Sequence, residues 1–377
     1  MGEEKMKRRW NSFFGLLLAG AVLVSGCGAR KGALPGSTMQ KTSHDTISVT
    51  DCAGRNVEIP MQVRSVACLY AYAGHACVML GCEDRISAVV EGIKRDRLMQ
   101  EKIAGLNDMP CPYTSGSINI EELTAVHPDL ILLREENIED KGELEKLERA
   151  GIPYIVIDYV TMEEQKESIR VMGKALGCEE RADAYLRYYE DTMALVENRL
   201  SALTEKKRVF HSVNEVVRTD IIDTLSYQVL DIAGCRNVAE EDAALKMDGG
   251  KAFATVEQIY AWDPDVILAN EPEAEKYFKN DPKFSGLRAV REGNVYQLPV
   301  GISRWAHPGS IESPLAALYV AKLLYPECFE DIDIRQETKD FYETYFDIQL
   351  SEEDVTQILD GQGMRKPKKK SEEGKVQ

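Results

Sequence analysis

The chain is expected to be an α/β protein of two Rossmann-like lobes, each with a parallel sheet, joined by a single long rigid helix. Three observations carry that expectation: a phrase that occurs twice, a steady alternation of short apolar runs with amphipathic ones, and one long helical stretch between the two halves. The phrase reads Asn119-Ile-Glu121-Glu-Leu-Thr-Ala-Val-His-Pro128-Asp129-Leu-Ile-Leu-Leu133. It returns 136 positions later as Thr255-Val-Glu257-Gln-Ile-Tyr-Ala-Trp-Asp-Pro264-Asp265-Val-Ile-Leu-Ala269. Glu121 and Glu257, Pro128 and Pro264, Asp129 and Asp265 share their offsets. In each copy a short amphipathic turn is halted by proline, which cannot continue a helix, and an apolar run of strand length follows.

Taken in order, the first lobe spans 46–160. Ile47–Asp51 and Arg55–Ile59 alternate apolar and polar residues around Gly54 and predict a β-hairpin. Arg64–Leu69 reads as a buried strand, followed by a helix over 73–81, a strand near 86–90 and a helix near 94–104. The first copy of the phrase gives helix 119–127 and strand 129–133, and helix 140–150 and strand 153–157 close the lobe. Such alternation predicts a parallel sheet covered by helices. Residues 161–205 are expected to be helices that link the lobes. After a break at Gly177, Ala182, Tyr185, Leu186, Tyr189, Met193, Val196, Leu200 and Leu203 recur at three- and four-residue steps between charged residues. That is a helix of more than twenty residues, roughly 30 Å long at 1.5 Å per residue. The second lobe spans 206–360: strand 208–213, helix 224–234, the second phrase, strand 294–298, a Gly301–Gly309 loop, then helices 311–325, 335–346 and 351–359.

The termini read differently. Lys5, Lys7, Arg8 and Arg9 precede an apolar run from Phe13 to Val24, which ends in Val24-Ser25-Gly26-Cys27. The run is too short to span a bilayer comfortably, and its basic flank and small residues before cysteine are those of an export signal. It resembles a bacterial lipoprotein signal, which implies removal of 1–26, lipid on Cys27, and an extracytoplasmic protein anchored to the cell membrane. Residues 27–45, rich in Gly, Lys, Ser and Thr, then form a flexible tether. The basic cluster Arg365, Lys366, Lys368, Lys369 and Lys370 places a solvated, disordered tail at 361–377.

The leader carries four basic and two acidic residues, so its removal takes the net charge from −17 to −19. A body this acidic is a poor partner for nucleic acid or an anionic lipid surface. Eight cysteines remain besides Cys27, none in C-x-x-C spacing, and several in apolar stretches; buried free thiols are the preferred reading, although an even number outside the cell permits disulfides. The chain has no G-x-S-x-G, H-E-x-x-H, Walker A or G-x-G-x-x-G motif, so it is not expected to be an enzyme.

Val49-Thr-Asp51 through Gly54-Arg55 to Ile59-Pro60, the two Glu-to-Pro-Asp phrases, the central helix, and the Trp305 to Pro314 segment with Leu315 to Pro326 together resemble the extracytoplasmic binding proteins of ABC importers for ferric siderophores, haem and cobalamin. The likeness covers nearly all of 46–360. It implies a class III periplasmic-binding-protein fold, a ligand cleft between the lobes, modest lobe motion, and no cofactor of the protein's own. It further implies a monomer whose partner is the permease dimer, docked through Glu121 and Glu257, one on each lobe. A first-turn glutamate is also simply a good helix starter.

Ligand contacts are expected from loops at the strand ends facing the cleft. Candidates are Tyr70, Tyr72, Tyr113 and Arg134 from the first lobe and Asn214, Arg304, Trp305 and His307 from the second. Arginines suit the negative charge of a ferric complex or haem propionates, and aromatic faces suit flat organic ligands. His211, inside a strand pattern, reads as structural. A ferric siderophore is the first expectation. Haem follows, with Tyr113 or His307 as axial ligand, then cobalamin or a nickel or cobalt chelate. A lipid-anchored sensor without a transporter would keep the fold and dispense with the paired glutamates.

Overall fold

In the computed structural model, residues 45–241, 245–362 and 364 are described; the expected signal peptide, Cys27, nearly all of the tether and the basic cluster at 365–370 lie outside them. Chain order begins with β1 (Thr46–Thr50) and β2 (Asn56–Pro60), the expected antiparallel hairpin. Next come β3 (Val66–Cys68), α1 (Ala71–Met79), β4 (Ile86–Ala88), the small hairpin β5 (Tyr113–Thr114) and β6 (Ser117–Ile118), α2 (Ile120–Ala125), β7 (Leu130–Leu133) and β8 (Tyr154–Val156). Helices α3 (Met162–Leu176) and α4 (Glu179–Leu200) follow. The remainder supplies β9 (Lys207–Ser212), β10 (Arg218–Thr219), β11 (Cys235–Asn237), β12 (Lys246–Asp248), β13 (Lys251–Phe253), α5 (Val256–Trp262), β14 (Val266–Ala269), β15 (Val295–Gln297) and α6 (Ser313–Leu324).

Two parallel sheets result, ordered β4-β3-β7-β8 and β11-β9-β14-β15. The strands read as continuous apolar runs because both faces are covered: β7 and β14 are buried at all four positions. Strand alternation then divides each run between two cores. Val66, Cys68, Leu130, Leu132 and Ile155 face a central core, whereas Ala67, Ile131, Leu133 and Val156 face an outer one with Leu123 and Leu147. The second sheet repeats this, with Val209, Val266 and Leu268 inward and Phe210, Ile267 and Val295 against Phe278 and Phe284.

Two packed helices, α3 and α4, lie between the sheets, and the second is the long one. Gly177, at φ 65°, ends α3, and after Cys178 the chain enters α4; the left-handed turn is open to glycine at little cost. Thr161 and Glu164 form a capping box that starts α3. The apolar stripe of α4 is buried as its spacing requires, from Ala182 to Leu200, while Leu203 lies beyond the helix end. Tyr185, Tyr189, Met193 and Val196 join the central core, which runs unbroken from the first sheet to the second.

Two local expectations change. Helix 94–104 is two short helices, Glu91–Lys94 and Arg97–Lys102, because buried Asp96 caps the second by accepting the Leu98 and Met99 N–H groups. Strand β11 and the antiparallel sheet β10-β13-β12 were not expected, since their few residues, among them Arg218, Arg236, Lys246, Asp248 and Lys251, form no apolar run like those that announce β3, β4, β8 and β15.

Both copies of the repeated aspartate do the same work. Asp129 Oδ2 accepts the Arg64 and Ser65 N–H groups at 2.8 and 3.1 Å while its own N–H reaches Ser65 O at 2.8 Å. Asp265 Oδ2 accepts the Arg208 N–H at 3.0 Å, and its N–H reaches Arg208 O at 2.8 Å. Each carboxylate thus fastens the start of one central strand to the start of its neighbour. Removing it strands a backbone donor. We expect Asp129→Ala and Asp265→Ala each to lower stability by about 1–2 kcal/mol, a loss in the range for an unpaired, partly buried donor. Urea unfolding of the two variants tests this, and an unchanged midpoint for both would remove the clamp from the account.

Candidate functional site

The carboxyl ends of both sheets face one region, and the sequence-chosen polar residues fall there in two groups. In the first, Tyr70 follows β3 as the residue entering α1, Arg134 follows β7, and Tyr113 lies in β5, whose turn has Ser115 and Gly116 both at positive φ (53° and 84°). These three line a groove of about 880 Å³ together with Val90, Lys94 and Arg95. The Arg134 guanidinium stacks over the Tyr70 ring at 4.9 Å and bonds Asp158 at 3.1 Å and Glu136 at 3.2 Å. Burial works against the Arg134 charge, but the Asp158 and Glu136 carboxylates more than offset it, so the group is held firmly cationic. Burial also pushes the Tyr70 hydroxyl above its usual value, so it is a neutral phenol at pH 7.

The second group stands on loops after β9, β14 and β15. Arg304 is ion-paired with Glu271, two residues beyond β14. His307 Nδ1 accepts the Gly309 N–H at 2.9 Å, while its Nε2 lies 3.2 Å from Asn214 Oδ1 and 2.9 Å from Arg304 Nη2. A neutral imidazole has one acceptor nitrogen. With Nδ1 accepting, Nε2 carries the proton, donates to Asn214, and meets Arg304 donor to donor; the tautomer is assigned from these partners. Asn214 sits at φ 63°, a conformation asparagine tolerates, which brings its amide to the ring. The groups meet where the Tyr70 hydroxyl lies 3.6 Å from the position a Gly309 Cβ would take.

Buried Glu312 holds the loop that carries Arg304 and His307. Its carboxylate accepts Ile302 N–H at 3.0 Å, Ser303 N–H at 2.8 Å, and the Ser303 and Tyr342 hydroxyls. Desolvation raises its pKa despite these donors. A Cβ at Gly301 would sit 1.9 Å from Tyr342 Oη and 2.3 Å from Glu312 Oε1, so no side chain fits there.

Not every expected contact faces the groove. Tyr72 is 1 % exposed and bonded to Ser168 Oγ at 3.1 Å, because the second residue of α1 points into the central core. Trp305 is fully buried with its ring edge-on to Tyr319; Asn270 Nδ2 holds its carbonyl at 2.7 Å. Both are packing residues in this structure. His211 is buried against Asp220 at 2.5 Å, in keeping with a structural role. Glu121 and Glu257 are exposed at the same position, second in α2 and α5, behind caps Asn119 and Thr255. Lys94, Arg95, Asp158 and Glu312 were missed, because charged residues in helices and loops read as solvated until the fold closes over them. Among the described residues no three His, Cys, Asp or Glu side chains gather as a cation site.

Comparison with known proteins agrees with this architecture. The chain is 24% identical over 332 residues to the uncharacterized ABC transporter substrate-binding lipoprotein YvrC of Bacillus subtilis, covering 86% of this chain and all of that one. It superposes with a TM-score of 0.70 on the molybdate-bound structure of MolA from Haemophilus influenzae, at 21% identity over 81% of this chain and 99% of that one. With CeuE of Helicobacter pylori, solved with Ni(II) bound, the TM-score is 0.67 at 23% identity over 83% and 99% of the two chains. The model of the family described as periplasmic binding protein matches residues 77–300, more than half of the chain, and the protein therefore belongs to the periplasmic binding protein family.

Proposed function

We propose that this chain is the extracytoplasmic solute-binding component of an ABC importer, with lobes 46–160 and 206–360 linked by 161–205 and a lipid anchor on Cys27. Its ligand is a metal chelate, a ferric siderophore first, taken between the two groups of strand-end residues and passed to a permease dimer. The observation that carries this reading is the groove lined by Tyr70, Tyr113 and Arg134, which meets the Arg304–His307 loop at Gly309. A fixed guanidinium stacked on a neutral phenol suits an anionic, flat-faced organic complex. At about 880 Å³ the groove falls within the roughly 300–1,000 Å³ typical of organic-ligand sites and far exceeds a bare metal ion or oxyanion. A ligand that brings its own metal needs no cation cage from the protein. Haem is the second choice, and Tyr113 is the better axial candidate, since both ring nitrogens of His307 are engaged. A sensor without a transporter would leave Glu121 and Glu257 without a task.

Titrating the purified protein with ferric catecholate and hydroxamate siderophores, haem, cobalamin, nickel and molybdate, read by tryptophan fluorescence and absorbance, tests the ligand class. A ferric siderophore is expected to bind, and Arg134→Ala to weaken its Kd about 10-fold or more, the loss of one charge-assisted contact. Tyr72→Phe is expected to leave the Kd unchanged. Binding of molybdate or nickel alone overturns the chelate reading.

For docking, the double variant Glu121→Lys and Glu257→Lys is expected to abolish uptake in cells or proteoliposomes while the ligand Kd stays as it was. Normal import by that variant would sink the docking assignment.

A further inference from the structure

Eight cysteines lie among the described residues, all as free thiols, and two pairs are in contact. Cys68 and Cys77 are both fully buried in the central core, with Sγ atoms 3.8 Å apart. Cys82 and Cys178 are closer, with Sγ atoms 3.0 Å apart across 96 residues of sequence, and Cys178 is partly exposed. Their setting differs from that of the buried pair. Cys178 is the N-cap of α4, a 22-residue helix, and its side chain makes no capping bond. The partial positive charge of that helix end favours a thiolate there. Arg85 reaches over to Leu176 O at 2.7 Å, and Arg181 to Met79 O at 3.1 Å, and the charge of both guanidiniums favours a thiolate at Cys178. Cys82 follows Gly81, whose positive φ of 71° turns the chain back from α1 toward α4 and whose open face is covered by Arg181 at 3.3 Å.

We propose that Cys82 and Cys178 are a disulfide-forming pair that staples the amino end of α4 to the chain just past α1 when the protein meets an oxidising milieu. A disulfide bond is about 2.05 Å, so the sulfurs have to close by roughly 1 Å, within reach of side-chain rotation. The oxidant is a small-molecule disulfide. The Cys178 thiolate attacks one of its sulfurs, displacing one thiolate and forming a mixed disulfide. The Cys82 thiol then loses its proton and attacks the Cys178 sulfur, displacing the second thiolate, which takes up that proton. One external disulfide becomes two thiols as two protein thiols become one disulfide. The order follows from the chemistry of the two sulfurs. The contact with Cys82, helped by Arg85 and Arg181, lowers the Cys178 thiol to about 7, whereas the contact with Cys178 and burial push Cys82 up. Cys77, by contrast, is pushed well up by its bond with Cys68 and by burial, with no path for a reagent to reach it.

The bond would close the linking helix onto the first sheet across a long loop, independently of which ligand the groove takes. It is tested on the full-length folded protein with oxidised glutathione, followed by alkylation of remaining thiols, proteolysis without reductant, and mass spectrometry. A Cys82–Cys178 cross-linked peptide is expected, removed by dithiothreitol, while Cys68 and Cys77 are recovered alkylated. The rate should rise with pH as the Cys178 thiolate forms, and should do so at lower pH than for an ordinary thiol. Oxidation is expected to raise Tm by roughly 5–10 °C, as for a cross-link closing a loop near one hundred residues. Cys82→Ala should leave Cys178 carrying glutathione, Cys178→Ser should form neither an adduct at Cys82 nor the cross-link, and Cys68→Ser should form the Cys82–Cys178 cross-link as the native chain does. Recovery of both Cys82 and Cys178 alkylated after oxidation, or cross-linking that survives Cys178→Ser, overturns the proposal.

Discussion

The bond from a carboxylate to the first amides of the adjacent strand is the constraint from which the site follows. Asp129 and Asp265 each stand at a helix-to-strand joint where proline has ended the helix, and each reaches sideways to the start of β3 or β9. This sets the pairings Val66 with Leu130 and Val209 with Val266. Register fixed at the amino end of a short strand is register fixed at its carboxyl end. Tyr70 and Arg134 therefore emerge side by side from neighbouring strands, close enough to stack, and Asn214 and Glu271 emerge together on the other sheet. A one-residue slip in either sheet would exchange the faces of the strand and scatter these groups.

A second constraint holds the two sheets to each other. The central core does not stop at the linking helices; Tyr185, Tyr189 and Val196 of α4 belong to it as much as Leu132 or Leu268 do. The loop bearing Arg304 and His307 is tied to this core at its far end, where Gln165 Nε2 donates to Ser310 O at 2.7 Å and the Tyr185 hydroxyl to Ile311 O at 2.5 Å. Buried Glu312 gathers the near end by accepting from Ile302 and Ser303. Large relative motion of the sheets would break buried polar bonds that have no water to replace them.

Much of this frame was legible from residue patterns. The repeated phrase announced two like sheets because Pro-Asp before an apolar run has one strong local meaning, and the stripe on α4 announced a long packed helix because its period is 3.6. The candidate site residues were legible only by position: a polar residue after a buried strand stands at a strand end, as Tyr70, Arg134 and Asn214 do, whereas Tyr113 lies in β5 and Arg304 and His307 stand on the loop that follows β15. Tyr72 and Trp305 share that position and were assigned with them, although they lie two residues from Tyr70 and His307 and point into the core. Which way a side chain turns at the entrance of a helix or in an irregular loop is settled by neighbours distant in sequence, here Ser168 and Tyr319.

The sequence by itself determined the order of the main strands and helices, the Pro-Asp joints, and the glutamates at matching places, because each follows from contacts within about ten residues. Only the tertiary structure decided that Lys94 and Arg95 join the groove, that Glu312 is buried under the Arg304–His307 loop, and that Cys82 meets Cys178. Those are encounters between residues far apart along the chain, and no local period encodes them. The twice-written phrase is legible from the sequence for the same reason that its consequence is not: the Pro-Asp joint is local, whereas the Ser65 amide that Asp129 clamps stands 64 residues earlier.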